Sequence, residues 1–135
     1  MDILKEFIGD GILQDIIISG YIDGGAIPVF HPLYDRIYFV FSDRMVEMKV
    51  NDDSYVVFGL VSGLECWLDI DEDDKFAQMS IYNLVLKTEQ NVTLDSIECE
   101  NEILANVTVN FSEGGIARRV VFNPKNFFGF TFGGS

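Results

Sequence analysis

The chain has 135 residues, 48% of them hydrophobic and 13% aromatic, and a formal net charge of −13. That length predicts one domain with room for one hydrophobic core, and the apolar content excludes an intrinsically disordered chain. So acidic a surface excludes nucleic acid and anionic membranes, whose phosphates it repels, and predicts a basic partner instead.

Met1-Asp2-Ile3-Leu4-Lys5-Glu6 carries acids where a secretory signal carries positive charge, and no apolar run has the length of a membrane span. A cytoplasmic location is expected. Its reducing conditions would keep Cys66 and Cys99, which lack ligand spacing, as thiols on inner strand faces. Every acid lies at or before Glu113, while Arg118, Arg119 and Lys125 follow it.

Asp2 suits an N-cap, and Ile3, Leu4, Phe7 and Ile8 line one side of a short N-terminal helix that Gly9-Asp10-Gly11 would stop. Residues 12–18 fit both periods, with three successive isoleucines favouring a strand in the second half. Asp23-Gly24-Gly25 marks a turn. Pro28, His31 and Pro32 predict an irregular connection, since proline offers a ladder no donor. Ile37 to Phe41 and Met45 to Val50 form a hairpin, with Val46, Met48 and Val50 inward and Glu47 and Lys49 outward. Asn51-Asp52-Asp53 turns into a strand over Tyr55 to Val61.

The next stretch, Glu65 to Asp74, holds six carboxylates in ten residues and no base. With a strand's two-residue period, Leu64, Cys66, Leu68 and Ile70 share one face, and Glu65, Trp67, Asp69, Asp71 and Asp73 the other. Asp71, Glu72, Asp73 and Asp74 then turn toward a strand starting near Met79, on which Tyr82, Leu84 and Leu86 alternate; a helix before it remains open. Val92 to Leu94 pairs briefly. Ile103 to Phe111 alternates most clearly, Ser112-Glu113-Gly114-Gly115 closes a hairpin onto Ile116 to Phe122, and Pro124 separates this from a last strand with Phe128, Phe130 and Phe132 on one face. The expected fold is mainly β: an antiparallel sheet curled into a sandwich or partial barrel, with the short N-terminal helix. An α+β arrangement with residues 12–18 or 72–80 helical is the alternative.

No catalytic chemistry is legible. His31 is the only histidine and matches no nucleophile motif, and no glycine-rich stretch completes a nucleotide fingerprint. Asp69-Ile70-Asp71-Glu72-Asp73 opens like a calcium loop, but Asp74 stands where glycine makes the turn and Ser80 where a bidentate carboxylate belongs. Neither an enzyme nor a metal or other cofactor is expected. Recognition remains: a tryptophan among acids suits a docking surface, because aromatics anchor interfaces and charge steers the partner. The candidate partner-binding residues are Glu65, Trp67, Asp69, Asp71, Glu72, Asp73 and Asp74. Asp52 and Asp53, and the Glu98-Cys99-Glu100-Asn101-Glu102 run, widen the patch if their turns lie on the same side.

In this overall character, small, acidic and without catalytic signatures, the chain resembles the immunity proteins of bacterial contact-dependent and polymorphic toxin systems. The resemblance implies stoichiometric occlusion of a basic toxin, a nuclease for instance. The competing expectation is a small β-barrel carrier of an apolar ligand, suggested by twelve phenylalanines.

Overall fold

The computed structural model describes residues 12–22, 30–42, 44–61, 75–88, 90–126 and 129–134. These comprise β1 (Ile12–Ile22), β2 (Phe30–Phe41), β3 (Met45–Val50), β4 (Val56–Val61), β5 (Lys75–Ser80), α1 (Tyr82–Leu86), β6 (Val92–Cys99), β7 (Val107–Glu113), β8 (Ile116–Asn126) and β9 (Gly129–Gly134). The strands form one sheet in the order β4-β3-β2-β9-β8-β7-β6-β1-β5. All neighbours are antiparallel except β2 and β9, joined by the parallel pair Tyr34↔Gly129.

The mainly β expectation therefore stands: the described residues form one open, curled sheet, not a two-sheet sandwich, and the curl does not close into a full barrel. The sheet curls until β1 also pairs with β2. The seams that complete this curl are thin: one pair joins β2 to β9, and Ile12↔Thr93 and Leu13↔Val92 join β1 to β6. The helix expected after Asp2 lies outside the described residues. Among those residues the helix is α1, five residues long and mid-chain.

Alternating residues of the curled sheet supply the core, including Leu13, Ile18, Phe39, Met48, Val109 and Phe111. Phe122, fully buried, sits at its centre. Its ring lies 5.9 Å from Phe39 at 87°, 6.5 Å from Phe130 at 85° and 5.9 Å from Phe132 at 53°. Edge-to-face packing sets the positive rim of one ring against the negative face of the next. An apolar-ligand carrier would need the space that these rings occupy.

Several departures from the expected elements share a cause, which is irregularity in a ladder. His31 and Pro32 belong to β2, where an irregular connection was expected. Their ladder with β1 breaks just beyond them, Ser19 pairing with Leu33 but Ile18 with Ile37, and such an interruption tolerates a missing donor. Pro124 does not end a strand but lies inside β8 at the shift between Asn123↔Thr131 and Asn126↔Gly129. β6 runs on to Cys99 instead of stopping at Leu94. A shift between Leu94 and Ser96 puts Val92 and Leu94, then Ile97 and Cys99, on the buried side, so the period is broken by one residue. Ser112 Oγ donates to Asp95 Oδ2 at 2.6 Å beside this bulge.

Two further departures come from overlapping periods. Residues 12–18 and 75–80 are strands, which excludes a helix over 12–18 and over the described part of 72–80, and α1 follows β5 instead of preceding it. Tyr82, Val85 and Leu86 are buried at helical spacing while Leu84 is 58% exposed, so the i, i+3, i+4 pattern prevails over the i, i+2 pattern. The alternation starting at Ile103 also begins too early. Ile103 is 61% exposed, Leu104 has φ of 51°, and β7 starts at Val107.

On the other side of β2 and β3, Tyr38 is buried and stands opposite Glu47. Glu47 also meets Arg36 at 3.6 Å and Lys49 at 3.5 Å. Burial, then the charge and hydrogen bond of Glu47, push the Tyr38 phenol up to about 12, against a smaller opposing pull from Arg36. A raised folded pKa favours the protonated form, so this contribution is intact below the unfolded value of about 10 and is lost as pH rises toward 12. In an absorbance titration of the tyrosinates, where burial raises Tyr82 as well, Tyr38→Phe should remove the late phase near pH 12. If the substitution leaves the late phase in place, the assignment is wrong.

Glu113 closes a second polar cluster. Its Oε2 accepts from Thr88 Oγ1 at 2.5 Å and its Oε1 meets Arg118 Nη1 at 2.7 Å. Both hold its carboxyl below the usual range, Thr88 contributing most. Together they tie the segment after α1 to the β7–β8 hairpin, whose Gly114-Gly115 turn has φ of 58° and 83°, the left-handed pair that a two-residue loop requires.

Candidate acidic docking surface

Asn51 builds the first part of the surface. Its side-chain Oδ1 accepts from the Asp53 N–H at 3.0 Å and the Tyr55 N–H at 2.9 Å, while its carbonyl accepts from the Ser54 N–H at 3.0 Å. The resulting three-residue loop ends in a left-handed residue, Ser54, with φ of 69°. Asp52 and Asp53 are thereby displayed, both exposed, from a backbone held at each end.

The second part follows from strand alternation at the end of β6. Cys99 turns into the core and is buried, which leaves Glu98 and Glu100 exposed on either side of it, followed by exposed Glu102. Burial, and then the negative charge of Glu100 and Glu102, push the Cys99 thiol up. It remains a thiol, as expected for an inner-face cysteine, and an unreactive one. A pocket of about 280 Å³ opens here, lined by Glu98, Glu100 and Glu102 with Cys99, Asn106 and Thr108.

A single backbone contact unites the two parts. The chain turns back at Leu104 in a left-handed conformation, and its N–H donates to the Ser54 carbonyl at 2.8 Å. The Asp52–Asp53 turn and the Glu98–Glu102 loop therefore adjoin, which the sequence left open. None of the ion pairs among the described residues uses these five carboxylates. Nor do the described residues contain a group of three or more His, Cys, Asp or Glu side chains placed to hold a metal ion. The acids are spread as a charged surface rather than converging on one atom.

Because φ near 69° strains a residue that has a Cβ, Ser54→Gly should stabilise the protein by about 1 kcal/mol. Thermal melting would read this as a higher midpoint; an unchanged or lower one would mean that the turn relaxes at no cost.

Of the residues expected to bind a partner, Asp52 and Asp53 are found here. Glu65, Trp67, Asp69, Asp71, Glu72, Asp73 and Asp74 lie outside the described residues, as does Cys66. The signal for the second loop was the Glu-Cys-Glu alternation, in which one buried thiol fixes the outward direction of its acidic neighbours. No protein-family model matches the chain, and neither a characterised protein nor a solved structure matches it.

Proposed function

We propose that this is a non-enzymatic binding protein whose acidic surface engages a basic protein partner. Its character fits an immunity protein that neutralises a basic toxin, such as a nuclease, by covering the positive surface on which the substrate lies. The observation that carries the reading is the Leu104–Ser54 backbone bond, which joins two acidic turns whose carboxylates enter none of the ion pairs among the described residues. A surface of that sign attracts a cationic partner over a distance and raises its rate of encounter.

The test is co-expression. The protein encoded immediately upstream supplies the probe: its C-terminal domain is induced with and without this chain. Growth arrest by that domain, relieved by this chain and accompanied by a one-to-one complex that weakens as salt rises, is the expected result. A harmless upstream product, or arrest that this chain does not relieve, would overturn the immunity reading.

A further inference from the structure

The exposed end of the sheet leads beyond the acidic turns. Among the described residues β4 is one of the two terminal strands, β5 being the other, and it is paired with β3 on one side only. Its sequence, Val56 to Val61, carries no charge and no proline, and its ladder with β3 runs through six consecutive pairs without a shift. Sheet edges are ordinarily guarded by lysine, proline or a bulge, because unpaired N–H and C=O groups template another strand. β4 has none of these guards.

The turn hydrogen bonds identify the unpaired groups. The Asn51 N–H donates to Tyr55 O, which makes 51 and 55 a hydrogen-bonded pair. Antiparallel pairs alternate, so Lys49↔Val57, Glu47↔Gly59 and Met45↔Val61 are hydrogen-bonded as well. The opposite hairpin agrees. The Phe41 N–H donates to Arg44 O, which directs Val46 and Met48 toward β2 and Met45, Glu47 and Lys49 toward β4. The backbone groups of Val56, Phe58 and Leu60 therefore point away from β3. Leu60 stands opposite buried Val46 on the core side, yet it is 56% exposed, so the inner face is open at this edge.

Charge selects the occupant. β4 starts directly after the Asp52–Asp53 turn, and the Leu104–Ser54 bond ties the loop that carries Glu100 and Glu102 to the same turn. We propose that the basic partner adds an extended strand antiparallel to β4, with a β-branched side chain covering Leu60 and lysine or arginine at its C-terminal end against Asp52 and Asp53. Main-chain bonds to Phe58 and Leu60 supply the affinity and the acidic end sets the direction. The inference rests on the basic-partner reading and names how that partner docks.

The probe is the amidated peptide Thr-Val-Thr-Val-Thr-Val-Lys-Lys, added to the full chain, with amide hydrogen exchange followed residue by residue. Phe58 and Leu60 should exchange fast in the free protein and be protected by the peptide. The reversed peptide Lys-Lys-Thr-Val-Thr-Val-Thr-Val, and the Asp52→Asn, Asp53→Asn double variant with the original peptide, should each bind at least about tenfold more weakly. Protection of both amides in the free monomer would mean that the chain covers its own edge and would overturn the proposal. Protection that grows with protein concentration, alongside a dimer in sedimentation, would make a second copy the occupant and also overturn it. Equal binding of the two peptides, or none, would do the same. If the edge fails in these ways while co-expression still relieves growth arrest, the basic-partner reading stands and only the docking mode is lost.

Discussion

Phe122→Ala is expected to destabilise the protein by about 3–5 kcal/mol, a large share of the roughly 5–15 kcal/mol of a typical domain. The ring is fully buried and is the common neighbour of Phe39, Phe130 and Phe132, which come from two other strands. Removing it forfeits its own transfer from water and leaves a void bordered by rigid rings that collapse poorly. It also weakens the seam between β9 and β2, where the ladder is the single pair Tyr34↔Gly129. Urea unfolding should show a lower midpoint at an unchanged slope. Ile116→Ala, at a side chain 68% exposed, serves as the control and should cost less than about 0.5 kcal/mol. A loss under about 1 kcal/mol for Phe122→Ala would mean that neighbouring rings refill the space, and the interior would then be plastic enough to reopen the question of a ligand.

Reversing Asp52, Asp53, Glu98, Glu100 and Glu102 to lysine is expected to slow association with the basic partner roughly 10–100-fold, with a smaller change in dissociation. Each reversal adds two positive charges to a chain at −13, on two loops that the Leu104–Ser54 bond joins. The five side chains are exposed, so the fold should survive, which circular dichroism and an unchanged urea midpoint would establish. Stopped-flow mixing with the upstream-encoded domain at several salt concentrations reads the effect, and the salt dependence of the association rate should flatten in the variant. An unchanged rate with a steep salt dependence would move the docking charge elsewhere on the chain, and the surface assigned here would be wrong.

The strands were legible wherever one side is buried and the ladder is regular. Val46 and Met48 inward, and the hairpin through Glu113 and Ile116, follow from period-two alternation and turn chemistry alone. Reading failed where the ladder skips: at Asp95 in β6, at Pro124 in β8, and beyond Pro32 in β2. A bulge there changes which residues face inward without changing that the segment is a strand. It failed also at Tyr82 to Leu86, where five residues satisfy both periods and burial against the core chose the helix.

By itself the sequence determined the sign of this protein's charge, its β character and the outward direction of Asp52 and Asp53, because composition, alternation and turn residues are local properties. Only the tertiary structure decided that Glu98, Glu100 and Glu102 join them. That association depends on a bond between backbones some fifty residues apart, Leu104 to Ser54, and backbone groups are the same at every position, so no side-chain pattern encodes their partner. The order of the strands, which leaves β4 at one end of the sheet among the described residues, was likewise a matter of long-range pairing.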